Sequence, residues 1–126
     1  MTDVLPEDIR QFVLDNVDSI AEMEALVMLW RDAAVPWSIE SVVTRLYISP
    51  ADAERTLERL VGRGVAVRAA DGYRAAGLPE AKAATVQRLV QLYDTHLIAI
   101  TNLIHSKPSA SRIQQFADAF KLRKKE

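Results

Sequence analysis

The stretch Ser38-Ile39-Glu40-Ser41-Val42-Val43-Thr44-Arg45-Leu46-Tyr47-Ile48-Ser49-Pro50, continued by Ala51 through Val61, decides how this chain is read. Ser38 can cap a helix that turns Val42, Val43 and Leu46 inward. Ser49-Pro50-Ala51-Asp52 is a second cap signature, with proline at the first helical position and an acid three residues after the serine. The helix it starts would bury Ala53, Leu57, Leu60 and Val61, and the small Ala53 would let it cross close to its predecessor. Gly62 and Gly64 bracket its end, where a left-handed residue is needed. Val65-Ala66-Val67-Arg68 and Tyr73-Arg74-Ala75 then flank an Asp71-Gly72 turn, the pattern of a two-stranded hairpin.

Upstream, Pro6-Glu7-Asp8 opens a helix with proline and acids near the positive end of its dipole. Leu5, Ile9, Phe12, Val13 and Val17 give it an apolar stripe. Ser19-Ile20-Ala21-Glu22 has the spacing of a capping box. The helix that follows would turn Ile20, Met23, Leu26, Val27 and Trp30 inward. Val35-Pro36-Trp37 must stop it, because proline disfavours helical geometry in the residue before it. A short strand through Val35 and Trp37, pairing with the later hairpin, is expected.

Downstream, Leu78-Pro79-Glu80 starts the longest predicted element. Ala81 to about His105 lacks proline and glycine, a run of about 37 Å at roughly 1.5 Å per residue. Val86, Val90, Tyr93, Leu97, Ile100 and Ile104 alternate spacings of four and three, a seam suited to long side-by-side helix packing. Leu89, Leu92 and Leu103 widen the stripe. Two-fold pairing of identical helices through this seam is the economical expectation, and packing back on the acidic N-terminal helices is the competing one. Residues 109–122 repeat the amphipathic theme with Ile113, Phe116, Ala117 and Phe120, a candidate surface for a protein partner. The chain divides on this reading into residues 1–76 and a C-terminal helical region, 77–126, within one compact unit.

With 126 residues the chain is long enough for one buried core and too short for two ordinary domains. Its 49% apolar and 26% charged residues are those of a folded protein rather than a disordered one. The absence of cysteine excludes disulfides and thiolate metal sites. The N-terminus has no basic region followed by an apolar run, and no stretch approaches the roughly 18 apolar residues of a membrane span. The expectation is a soluble, cytoplasmic protein.

The net charge of −1 hides a gradient. Residues 1–35 carry eight acids against Arg10 and Arg31. Residues 36–74 carry six arginines against five acids, and residues 75–126 eight bases against four acids. Such asymmetry suits a polyanionic partner or head-to-tail complementarity between chains. Lys121, Arg123, Lys124 and Lys125, with Phe116 and Phe120, also fit a short basic helix on an anionic membrane surface, although its polar face is weakly basic before residue 121.

For catalysis the sequence is poor. His96 and His105 lie nine residues apart, two and a half helical turns, too far for both rings to bind one ion. His105 suits the carbonyl end of a helix dipole. The glycines at 62, 64, 72 and 77 form no phosphate-binding loop. Asp15 with Asp18, and Glu22 with Glu24, fit solvated helix faces. The expectation is a non-enzyme without metal or cofactor. The chain offers an apolar interhelical space but no polar group that names an effector.

Leu46-Tyr47-Ile48-Ser49-Pro50 through Leu57-Glu58-Arg59-Leu60-Val61-Gly62-Arg63-Gly64-Val65 resembles the helix-turn-helix core of bacterial winged-helix regulators, the broad MarR, ArsR and PadR group. The resemblance covers about a third of the chain. It implies a mainly α fold: a winged helix-turn-helix with a short β-hairpin wing and a long C-terminal dimerisation helix. It also implies a dimeric transcriptional regulator of double-stranded DNA, with the second helix of the motif in the major groove and the wing on nearby phosphates. Carried over, Ser49, Ala51, Asp52, Arg55, Thr56 and Arg59 face the bases, and Arg63, Arg68 and Arg74 face phosphates. Asp52, Glu54 and Glu58 share that helix, and each acid aimed at a duplex opposes counterion release. A winged helix used as a protein-interaction module without DNA binding is the alternative.

Overall fold

A computed structural model describes residues 5–106. The expected amphipathic segment 109–122 and the basic run from Lys121 to Lys125 lie outside the described residues. Within them are six helices and one antiparallel hairpin: α1 (Glu7–Asn16), α2 (Ile20–Arg31), α3 (Ile39–Leu46), α4 (Pro50–Gly62), β1 (Ala66–Ala69), β2 (Gly72–Ala75), α5 (Glu80–Tyr93) and α6 (Leu97–Ser106). This mainly helical arrangement with a small hairpin is compatible with the expected winged helix. None of the described helices is long and apolar enough to cross a membrane.

The centre of the core is α2. Of its expected inner face Met23, Leu26, Val27 and Trp30 are buried and Ile20 half-buried, but Ala25, Met28 and Leu29 are buried too, so the helix is covered on nearly every side. A helix apolar all round is one that other elements wrap, and α3, α4, α5 and β2 all pack on it. Ser19 Oγ accepts from the Glu22 amide at 3.1 Å as expected, and the Glu22 carboxylate reaches back one residue beyond the cap, accepting from the Asp18 amide at 2.9 Å. Trp30 Nε1 donates to the Val65 carbonyl at 3.0 Å, fixing the approach to the hairpin. Arg88 bonds Asp8 at 2.6 Å, tying α5 to α1 and holding the Asp8 carboxyl below its usual range.

The long C-terminal helix of the sequence reading is two helices, broken at Asp94-Thr95-His96. No proline or glycine marks the break. The Leu92 carbonyl there accepts from the Thr95 and His96 amides, at 3.1 and 2.7 Å, as well as from Thr95 Oγ1 at 3.2 Å. The break lets α5 follow α1 and α2 while α6 turns across α1. The seam is consequently spent inside the chain: Val86, Val90, Tyr93, Ile100 and Ile104 are buried in its own core, and only Leu97 is exposed. The packing back on the N-terminal helices is what forms, and both halves of the expected division share one core.

Tyr93 donates to Glu24 at 3.2 Å, and burial, followed by that carboxylate, pushes its hydroxyl up to about 12. A raised folded value means full stabilisation below the ordinary value of 10, lost as pH climbs toward 12. Tyr93→Phe should therefore flatten the fall in stability across that alkaline window in urea melts. An unchanged slope would show that Tyr93 titrates as it does in the unfolded chain.

The hairpin differs from the expected one in its turn. Ala70 and Asp71 form the loop, while Gly72 sits in β2 opposite Ala69. The expected strand through Trp37 is present as a single antiparallel bridge: Trp37 and Tyr73 exchange both amide bonds, at 2.7 and 2.8 Å.

Candidate nucleic-acid interface

Local chemistry fixes the helix pair before any partner is considered. Ser38 Oγ accepts from the Ser41 amide and Ser49 Oγ from the Asp52 amide, both at 3.1 Å, so each serine starts its helix. Between them Tyr47 closes α3 in the left-handed conformation at φ 57°, with 92% of its surface exposed. That geometry costs roughly 1–2 kcal/mol in a residue with a β-carbon. Gly64 ends α4 at φ 81°, and the Gly64 and Val65 amides return to the Val61 and Leu60 carbonyls, the paired bonds of a Schellman stop. Val65 is then buried and the chain enters β1.

The residues expected to face DNA do not form one free surface. Ala51, Asp52 and Arg55 are exposed on the outer side of α4, but Arg55 is bonded to Asp52 at 2.6 Å. Ser49 is exposed and occupied with its cap. Thr56 is a correction, since it is 7% exposed and belongs to the inner face with Ala53, Leu57 and Leu60. Its spacing from Ala53 and Leu60 was the available signal, and its hydroxyl masked it.

The basic residues are mostly engaged. Arg63 bonds the Asp18 carboxylate and, at 2.9 Å, the Asp15 carbonyl. Arg59 lies 3.9 Å from Asp18 and 3.7 Å from the buried Glu22. Arg68 bonds Glu58 through Nε at 2.8 Å and through a second guanidinium nitrogen, and Tyr73 donates to the same carboxylate at 2.6 Å. The Arg68 bond, then the Tyr73 bond, holds the Glu58 carboxyl below its ordinary range, so this clamp weakens only as pH falls through that lowered value. Arg74 is exposed and has no acid partner among the described residues.

Two consequences follow for the surface. Glu58 ties the hairpin to α4 through Arg68 and Tyr73. Asp18 and Glu22, which sequence reasoning placed on solvated faces, instead sit beside Arg55 and Arg59 around a groove of about 460 Å³ at the start of α2. Pairings across 45 residues leave no local pattern from which they could be read. His96 bonds Thr95 at 2.8 Å and His105 lies in the last turn of α6, and among the described residues no cluster of three metal-ligating side chains occurs.

Comparison of the chain with protein-family models, with curated proteins and with solved structures gave no match.

Proposed function

We propose that the chain is a winged-helix module that binds double-stranded DNA, a cytoplasmic, non-catalytic regulator with α4 in the major groove and the β1–β2 hairpin against phosphates. The observation that carries this is the Trp37–Tyr73 bridge, which closes the hairpin onto the segment before α3 and sets wing and helix pair in one frame. Magnitudes decide which arginines can serve. Exposed ion pairs are worth about 0–1 kcal/mol, so Arg55 can exchange Asp52 for a phosphate at little cost. Arg74 has no acid to leave among the described residues, Arg68 must give up its two bonds to Glu58, and Arg59 holds its acids only loosely. Arg63 is three-quarters covered and stays with Asp18. The contact set thus contracts to Arg55, Arg59, Arg68 and Arg74, with Asp52, Glu54 and Glu58 opposing them.

Four cations per subunit give a salt slope of about −3 to −4, reduced further by the acids. Two subunits would double that. The seam in α5 and α6 is occupied, so a two-fold pair has Leu97 and Ile98, 46% and 69% exposed, as its apolar surface on α6. Arg55→Ala is expected to change sequence preference, whereas Arg68→Ala should weaken all sequences alike and reduce the salt slope by about one. Both are read by fluorescence anisotropy across a salt series. Equal effects of the two variants on every sequence would remove α4 from the groove.

A second function, a winged helix that docks a protein, is favoured by one specific observation. The arginines of α4 and the hairpin are largely neutralised by acids of the same chain, which suits a protein partner better than a polyanion.

A further inference from the structure

A cleft of about 430 Å³ opens between α2, the end of α3, Trp37 and the end of α5. Its size lies within the roughly 300–1,000 Å³ of small-molecule sites. Val27, Met28, Leu46 and the ring of Trp37 supply apolar walls. The charges around it are not balanced. Arg31 is satisfied by Asp94 at 2.7 Å. Arg45 lies over the Trp37 ring, 5.9 Å from its centroid, and occupies the place a ligand cation would take on that ring. Two carboxylates remain without a basic partner among the described residues: Asp32 at the rim, and Glu24, half-buried in the wall. Tyr93 donates to one oxygen of Glu24 and leaves the other open.

We infer that this cleft binds a small amphipathic organic cation. Its ammonium group pairs with Glu24, supported by Asp32, and its hydrocarbon body lies on Val27, Met28, Leu46 and Trp37. A half-buried carboxylate beside apolar walls has more to gain from a cation than an exposed one, because the local dielectric is lower. The same placement makes an organic anion a poor occupant, since Arg45 would have to outweigh two carboxylates. None of the lining residues belongs to α4 or to the strands of the hairpin, although Trp37 bridges to Tyr73 of β2, and the assignment does not rest on DNA binding.

The test uses two probes of matched shape, 4-phenylbutylammonium and 4-phenylbutanoate, titrated into the full chain and followed by tryptophan emission. Trp37→Phe assigns the signal and is expected to fold normally, because the indole nitrogen of Trp37 has no acceptor among the described residues. The ammonium should bind at least ten-fold more tightly than the carboxylate. Glu24→Gln, checked for folding by circular dichroism, should weaken the ammonium at least ten-fold. Arg45→Ala should tighten it two- to three-fold by uncovering the ring. Equal or tighter binding of the carboxylate, an unchanged ammonium affinity in Glu24→Gln, or weaker ammonium binding in Arg45→Ala would each overturn the assignment. So would the absence of saturable binding at millimolar probe.

Discussion

Gly72→Ala is expected to lower stability by about 3 kcal/mol and the melting temperature by roughly 10 °C. Gly72 holds φ +144°, a conformation that residues with a β-carbon rarely adopt. A β-carbon built there would stand 2.1 Å from the Trp37 carbonyl oxygen and 2.6 Å from its carbon. Both are backbone atoms, so no rotamer change relieves the contact. The obstacle lies in the bridge that joins Trp37 to Tyr73, and opening it would also strain the Tyr73 bond to Glu58. Thermal melts with a hydrogen-exchange readout at Trp37 and Tyr73 check this. A variant as stable as the parent, with both amides still protected, would mean that hairpin and helix pair are not closed through this contact.

Asp18→Ala should be the second large effect, about 2 kcal/mol. Its side chain is 10% exposed and it serves Arg63, itself 25% exposed, with Arg59 near. That places it between exposed pairs, worth about 0–1 kcal/mol, and buried ones, whose breaking costs about 3–5 kcal/mol. In a double-mutant cycle with Arg63→Ala the losses should fall short of additivity by about 1 kcal/mol or more. Arg55→Ala, at an exposed pair, should stay within about 0.5 kcal/mol. Asp18→Ala should also strengthen duplex binding at low salt by roughly 3- to 10-fold, because it removes an acid and the carboxylate that holds Arg63. A loss of stability below about 0.5 kcal/mol would reduce the cluster to surface decoration.

Much of the local architecture was legible. Ser19, Ser38 and Ser49 start helices where their neighbours said they would, and each accepts the expected amide. Gly64 stops α4 as a left-handed residue must. Of the strand expected through Val35 and Trp37, only the single bridge from Trp37 to Tyr73 forms, and Val35 lies in a bend. What failed was long-range. The seam from Val86 to Ile104 has the period of a partner-seeking helix, and periodicity records that a face is buried, not which chain buries it. The break at Asp94-Thr95-His96 carries no proline or glycine that could announce it. Gly72 was read as a turn residue because an Asp-Gly pair has that meaning locally, whereas its need is set by the backbone of Trp37, 35 residues earlier.

The site was less legible than the fold for the same reason. Arg55, Arg59, Arg63, Arg68 and Arg74 could be located, but the acids that hold the first four come largely from other elements. Only the Asp52–Arg55 pair lies within α4. Asp18 and Glu22 reach Arg59 and Arg63 from the start of α2, and Glu58 is drawn to the hairpin by Arg68 and Tyr73.

The most direct measurement is a titration of the full chain with random-sequence duplex at about 20 mM salt, repeated upward in salt and paired with selection of bound sequences from a random pool. DNA binding through α4 and the hairpin predicts saturable retention at low salt, a negative slope of at most about 4 in magnitude per bound subunit, and an enriched motif. No retention of any duplex at low salt would contradict it and leave the protein-docking function standing.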